Sequence, residues 1–213
     1  EGLAVTLVYV DATKGWLVTD SGLQNEAPGP EYITATGGTI TCSGNFRIHT
    51  FTGPGTFCVS AVGNSAGSTL VDYLVVGSGA AGGCNGGGGG AGGFRESPGT
   101  ASGSYSVSPL GAAPAVSLPV SVQGYTITVG GGGTAGAPGS SIGGSGFPST
   151  FSSIVSAGGG RSGAGGSGVG TPANANGATG GSGGGGGGGF CGAAGNTPSV
   201  SPPQGQPGGD GSS

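Results

Sequence analysis

Short runs of hydrophobic residues, separated by polar turns, fill the first third of the chain and are typical of β-strands. Val5 to Val10 is rich in β-branched and aromatic residues, and a similar run over 16–19 follows a turn at 11–15. These two runs predict a β-hairpin. Further runs predict a small antiparallel sheet, at 39–42, 46–52, 55–62 and 70–76. No run repeats its apolar residues roughly every 3.6 positions, so we expect essentially no α-helix.

Alternation within the run 46–52 also predicts which of its side chains are buried. Phe46 and Ile48 alternate with Arg47 and His49, which places the first pair on a buried face and the second pair in water. His49 is therefore expected to be a solvated side chain.

From Gly77 onwards, glycine runs replace the alternating pattern and change the expected structure. The longest runs lie at 86–90, 130–133, 158–160 and 183–189. Because glycine weakens both helices and strands, such runs favour extended threefold helices of the polyglycine II type, which bond laterally to one another. Tyr125 to Val129 and Phe151 to Val155 predict two further strands between the runs. We therefore expect a bundle of glycine helices that carries short strands.

Composition points to the same fold class. The chain has 213 residues, of which 59 are glycine and 14 proline, and 6% are charged. So much glycine leaves little apolar side-chain area to bury, and backbone hydrogen bonds must supply much of the stability. Shifts in composition divide the chain into an N-terminal β-hairpin and linker at 1–32, a small antiparallel β domain at 33–76 and a glycine-rich domain at 77–213. The expected fold class is all-β.

Charge and hydropathy exclude several classes of partner. The net charge is −4 and the 4 basic residues are scattered, so we expect no nucleic-acid partner. No apolar run is long enough to cross a bilayer, and we expect no membrane insertion. The pattern G-x-G-x-x-G at 77–82 follows a strand, but more glycine comes after it instead of a helix. It therefore does not predict a nucleotide site.

Catalytic and metal-binding patterns are equally unsupported. The single histidine, His49, has no serine and acid at the spacing of a nucleophile-elbow triad. The cysteines lack the C-x-x-C spacing typical of metal sites, and the acidic residues are too scattered for a paired-carboxylate site. We expect no catalytic residue, no metal and no cofactor, and we do not expect the chain to be an enzyme.

The four cysteines allow more than one set of disulfides. Cys42 and Cys58 lie in adjoining β runs, whereas Cys84 and Cys191 both lie among glycines, so pairing within regions predicts bridges from Cys42 to Cys58 and from Cys84 to Cys191. The second bridge closes a long loop and would contribute about 4–5 kcal/mol in the chain-entropy model. The alternative is four buried thiols. Disulfides would favour an extracellular setting.

A series of motifs follows a recognisable order along the chain. The motifs are 37–57, 71–76, Gly92-Gly93-Phe94-Arg95 after a glycine run, Tyr-Thr-Ile-Thr-Val-Gly at 125–130 and Ser-Thr-Phe-Ser-Ser at 149–153. Together they resemble the glycine-rich domain of bacteriophage tail fibres and related virion proteins, over roughly residues 35–190. The chain departs from that pattern at Cys42 and Cys58, and this joint departure supports a bridge between them.

The resemblance implies a structural subunit of a virion appendage, located in the virion or outside the cell. It also implies adhesion through loops carried on the glycine helices, with a host-surface polysaccharide or outer-membrane protein as partner. Exposed backbone groups and edge strands invite pairing, so we expect a homo-oligomer, either a trimer or a helical filament.

Two alternatives to a tail fibre stay open. The chain could be a subunit of an extracellular cell-surface or matrix filament, in which Val5 to Val10 adds to the sheet edge of a neighbour. It could also be an ice-binding protein built on polyglycine helices, although its inserts are too irregular for a flat repeated face.

Any binding surface is expected on the inserts between glycine runs, because polyglycine offers only backbone. Aromatic and arginine side chains dominate contact energetics on such inserts. The candidates are Phe94, Arg95, Tyr105, Phe147 and Arg161. Phe94 and Phe147 also suit packing against the glycine bundle, which makes Tyr105 and Arg161 the stronger candidates.

Overall fold

The computed structural model describes residues 6–11, 15–20, 29–99, 116–136, 142–165 and 172–212. Its strands are β1 (Thr6–Asp11), β2 (Gly15–Asp20), β3 (Thr34–Thr36), β4 (Thr39–Ser43), β5 (Phe46–Thr50), β6 (Gly55–Ala61), β7 (Leu70–Val71), β8 (Leu74–Val76), β9 (Phe94–Glu96), β10 (Leu118–Pro119), β11 (Gly124–Thr128), β12 (Ser149–Phe151) and β13 (Ile154–Ser156). One helical turn, α1 (Pro172–Ala175), accompanies them. The all-β fold class is confirmed, and so is the N-terminal hairpin, in which β1 pairs antiparallel with β2.

The largest sheet combines strands from distant parts of the chain. It has five antiparallel strands in the order β13-β12-β11-β6-β3. Its centre is the pairing of β11 with β6, which places Tyr125 opposite Phe57. The predicted boundary at residue 76 therefore runs through one sheet rather than between two.

One face of this sheet carries the side-chain core. Alternation along β6 and β11 buries Phe57, Val59, Tyr125 and Ile127, and Ala35 and Val120 complete the cluster. The ring of Phe57 packs against those of Phe151 at 5.8 Å and Tyr125 at 6.4 Å. Residues at every second position of these strands therefore fill the interior with side-chain volume.

The ribbon of β4 and β5 reverses part of the predicted alternation. His49 is half-buried, with Nδ1 2.8 Å from the carbonyl oxygen of Gly37 and its ring edge-on to Phe57 at 5.0 Å. Ile48 is 43% exposed. The prediction of a solvated His49 and a buried Ile48 was wrong. The ribbon packs on the sheet with the face that carries His49, because on that side the imidazole finds both an aromatic partner, Phe57, and a polar partner, the Gly37 carbonyl.

Two predicted strands prove to be pairs of shorter ones. The run 70–76 divides into β7, which pairs with β10, and β8, which pairs with β9. The run 151–155 contains the turn between β12 and β13, in which Ser152 has a φ of 54°. Positive φ is uncommon for a residue with a side chain and marks a tight reversal here.

The glycine runs form a bundle of extended segments, as predicted. The segments are 77–84, 86–93, 130–136, 142–147, 157–165, 174–180, 181–189, 190–197 and 204–212. Their hydrogen bonds repeat every third residue: the amides of Gly87, Gly90 and Gly93 donate to the carbonyls of Gly163, Gly160 and Ala157. A repeat of three residues per turn is that of the polyglycine II helix, which cannot bond internally.

Segment 157–165 lies inside this bundle. It exchanges hydrogen bonds with 77–84, 86–93, 142–147, 174–180 and 181–189. A Cβ at Gly160 would overlap the carbonyl of Ala178, and one at Gly163 would overlap the carbonyl of Ala175. Side chains are therefore excluded at these positions by the approach of neighbouring backbones.

Candidate functional site

The glycine bundle grows directly out of the strands. β8 continues into segment 77–84, β11 leads to 130–136, and β13 continues into 157–165. In the opposite direction, 86–93 runs into β9 and 142–147 leads to β12. Strand and glycine helix are both extended and both bond laterally, so one conformation passes into the other without a separate linker.

Small buried polar side chains occupy this junction, where the hydrogen-bonding partners change. Gln204 is 1% exposed, accepts from the Ala157 amide at 2.8 Å and donates to the Pro198 carbonyl at 2.8 Å. The hydroxyl of Ser156, fully buried, accepts from the Gly77 amide at 3.1 Å. Gln204 satisfies backbone groups that the regular ladder does not reach, and Ser156 adds a second acceptor to the Gly77 amide, which also donates to the Gly93 carbonyl at 2.8 Å.

A second polar cluster lies at the short link between β7 and β8. One carboxylate oxygen of Asp72 accepts from the hydroxyls of Ser97 at 2.8 Å and Ser117 at 2.7 Å, and the Tyr73 amide donates to Ser97. Burial raises the pKa of the Tyr73 phenol, opposed by the charge of Arg95 and reinforced by that of Asp72. These bonds tie Ser97, which follows β9, and Ser117, which precedes β10, to the link between β7 and β8.

The predicted contact residues lie at different places, and three of the four described ones belong to the scaffold. Phe94, half-buried on β9, donates its amide to the Gln204 carbonyl, and Arg95 Nη1 donates to the Val155 carbonyl at 3.3 Å. Arg161 is half-buried within segment 157–165, and its Nη1 donates to the Ser162 carbonyl at 3.3 Å. Phe147 is 61% exposed. Tyr105 lies outside the described residues.

The four cysteines are free thiols in this structure, so neither predicted disulfide is formed in it. Cys58 points away from the core face of β6, whereas the β4–β5 ribbon that carries Cys42 covers that face through His49. Cys84 is half-buried beside segment 157–165, and Cys191 is exposed beside Gly177.

The hairpin carries an exposed aromatic pair that the sequence did not predict. The rings of Tyr9 and Trp16 meet edge-to-face at 5.3 Å, and the two side chains are 52% and 66% exposed. They lie opposite each other in the β1–β2 register. Tyr9 stands among valines and Trp16 beside Leu17, so no alternation with polar residues marks this face as exposed.

The family assignment follows from the part of the chain that forms the bundle. A family described as Glycine-rich domain matches residues 49–213, which is most of the chain. The chain belongs to the glycine-rich domain family. No curated protein and no solved structure matches it. The family assignment therefore establishes a glycine-rich domain over these residues and does not by itself specify a function.

Among the residues that the structure describes, no helix is long and apolar enough to cross a membrane. Within the same residues, no group of three or more His, Cys, Asp or Glu side chains could hold a metal ion.

Proposed function

We propose that this glycine-rich domain is a rigid structural subunit of an extracellular appendage of the virion tail-fibre kind. The observation that carries the proposal is the direct passage of strands into a bundle bonded at every third residue. Load along any one segment is shared with its neighbours through these lateral bonds. Such a body resists bending without a large side-chain core, which suits a shaft or tip.

Recognition of a host-surface polysaccharide or outer-membrane protein is assigned to side chains at the ends of the segments. The backbone of the bundle offers the same groups throughout and cannot distinguish ligands. Phe147 suits this role best among the described candidates, because its ring is exposed at the end of segment 142–147. Tyr105 belongs to the same proposal through its place in a long insert between glycine runs. Aromatic anchors of this kind carry much of the energy of an interface.

Electron microscopy with a gold-labelled antibody against the chain tests the structural role. The proposal predicts label on the shaft or tip of virion appendages. Label confined to cell-surface filaments would favour the alternative below, and label on neither would contradict both. In attachment assays, Phe147→Ala should weaken binding of the particles to their native surface while leaving assembly intact, with Val122→Ala as the control because Val122 is also exposed, at 60%.

The second candidate is a filament subunit that assembles through the N-terminal hairpin. It is favoured by the fact that β1 and β2 form a two-stranded sheet of their own, with an exposed aromatic pair. The pairing of β1 with β2 of the same chain counts against donation of β1 itself. Trp16 is the single tryptophan of the chain, so its fluorescence reports on the hairpin alone. A blue shift on assembly would support the filament, and unchanged emission would exclude the hairpin as the joint.

A further inference from the structure

A groove about 670 Å³ in volume runs along one side of the bundle. Its walls are 85–91 and 206–212, and its floor is 182–188. All three are extended glycine-rich segments, and they bond to one another in the order wall, floor, wall. The groove therefore lies where a further parallel segment would stand if the bundle continued.

The floor segment 181–189 has hydrogen-bonded neighbours on every side except this one. From Ser182 to Gly189 its amides donate to 86–93, 174–180 and 204–212, and the carbonyls of the segment accept from 157–165 and 190–197. Neighbours that accept from its amides alternate around the segment with neighbours that donate to its carbonyls. The groove lies between two segments that accept from its amides, so carbonyls of the floor segment point into the groove. The carbonyls of Gly183 and Gly186 have this direction by the threefold repeat, line the groove, and accept no hydrogen bond from any described residue.

The first wall turns donors toward the same space. The Gly90 carbonyl accepts from segment 77–84 and the Ala91 carbonyl accepts from segment 181–189, so one residue rotates the backbone by a third of a turn, past segment 157–165. The amides of Gly87 and Gly90 donate to segment 157–165. The same rotation, past segment 181–189, points the amide of the next residue into the groove. The amides of Gly88 and Ala91 therefore face the groove, and neither has an acceptor among the described residues.

The second wall behaves in the same way. Gly208 donates to Ala193 of segment 190–197, and the next third of a turn carries the Gly209 amide past 181–189 to the groove. Across the groove, the free backbone groups thus run donor, acceptor, donor. A polyglycine II strand offers the complement, carbonyl, amide, carbonyl, because it has the same alternation as the segments around it.

Steric space sets the composition of the occupant. A Cβ at Gly185, on the floor, would lie 3.4 Å from the Gly88 carbonyl oxygen and 3.5 Å from that of Gly209, which are ordinary contacts. At Gly183 and Gly186, by contrast, a Cβ would overlap the backbone of segments already in place. In each turn of a strand in the groove, two of the three residues would contact the walls and floor and must therefore be glycine. The third residue would face solvent.

We propose that this groove binds a Gly-Gly-X segment of a different protein in the polyglycine II conformation, and so joins this chain to a glycine-rich partner. The inference is independent of the proposed function, because it rests on the unpaired backbone groups and the shape of the groove.

A fluorescent peptide of repeated Gly-Gly-Asn triplets, titrated against the full chain and followed by anisotropy, tests the proposal. Saturable binding is expected, together with slower amide exchange at Gly88 and Ala91. Gly185→Ala puts a methyl group on the floor without disturbing the fold and should weaken binding at least about tenfold, the effect of overpacking a close contact. Gly131→Ala is the matched control, since a Cβ there meets nothing within 4 Å on the far segment 130–136, and binding should not change.

Unfolding midpoints of the two variants that are no lower than that of the parent establish that the fold is retained. A peptide of Ala-Ala-Asn triplets should not bind, because its methyl groups would overlap the walls. Failure of the Gly-Gly-Asn peptide to bind the parent, or equal binding to Gly185→Ala, would overturn the proposal. So would self-association of the parent that Gly185→Ala abolishes and the peptide does not inhibit, because a second copy would then be the occupant.

Discussion

The five-stranded sheet and the glycine bundle fill their interiors in opposite ways. In the sheet, the rings of Phe57, Tyr125 and Phe151 occupy the space between backbone layers. In the bundle, segments 157–165 and 181–189 come so close to their neighbours that side chains are excluded from most of their positions. The interior of the sheet depends on apolar volume and that of the bundle on backbone hydrogen bonds. The two regions should therefore respond oppositely to the size of a side chain.

The junction between these regions uses elements of both. Gln204, Ser156 and Ser149 are buried side chains, as in a core, but each accepts a hydrogen bond from a backbone amide of the bundle or its edge. These side chains join the sheet, in which hydrogen-bonding partners alternate every two residues, to the bundle, in which hydrogen-bonding partners repeat every three residues. Without these side chains, the Ala157 and Gly130 amides would lose their acceptors, whereas the Gly77 amide would keep the Gly93 carbonyl.

The largest expected effect comes from removing volume in the sheet. Phe57→Ala deletes a ring that packs against His49, Tyr125 and Phe151, and should lower the free energy of unfolding by about 4 kcal/mol. Phe147→Ala is the control, because that ring is exposed, and should change it by less than about 0.5 kcal/mol. Denaturant titration measures both. Similar losses for the two variants would mean that apolar packing does not distinguish the sheet.

Adding volume in the bundle should have the next largest effect. Gly160→Ala adds a single methyl group that overlaps the Ala178 carbonyl, and should cost about 3 kcal/mol because the neighbouring backbone must move. Gly131→Ala, in open space, should be neutral or stabilise by up to about 1 kcal/mol through the unfolded chain. If Gly160→Ala were as stable as Gly131→Ala, the close approach of the segments would be contradicted.

A smaller effect is expected at the junction. Gln204→Ala leaves the buried Ala157 amide without its partner and removes the hydrogen bond to the Pro198 carbonyl, and should cost about 2 kcal/mol. Gln123→Ala removes an exposed hydrogen bond to Ser121 and serves as the control, with almost no loss. Thermal unfolding of the two variants compares them directly. Equal midpoints would show that the junction does not depend on side chains.

Local patterns in the sequence were sufficient for the hairpin, for β11 and for the conformation of the glycine runs. They were insufficient for β3, β9 and β10, which are two or three residues long and exist because a distant strand pairs with them. The burial of His49 was missed for the same reason, since its partners Gly37 and Phe57 come from other elements. Alternation predicts two faces but not which face another element will cover.

The bundle sets a stricter limit on prediction. A glycine run specifies a threefold helix but carries no side chains to determine which other run lies beside it. The neighbours of segment 181–189, and hence the groove it floors, follow only from the assembled structure. The predicted contact residues show the same limit. The sequence predicts that Arg95 and Arg161 are available to a partner, whereas in the structure both donate to backbone carbonyls of the scaffold.

Amide hydrogen exchange along segment 86–93, resolved by NMR with labelled glycine and alanine, tests the central claim most directly. The amides of Gly87, Gly90 and Gly93 donate to segment 157–165, whereas Gly88 and Ala91 have no acceptor among the described residues. The bundle therefore predicts slow exchange at every third residue and fast exchange at Gly88 and Ala91. Protection at every second residue would indicate a β-strand instead, and uniformly fast exchange would contradict an ordered bundle.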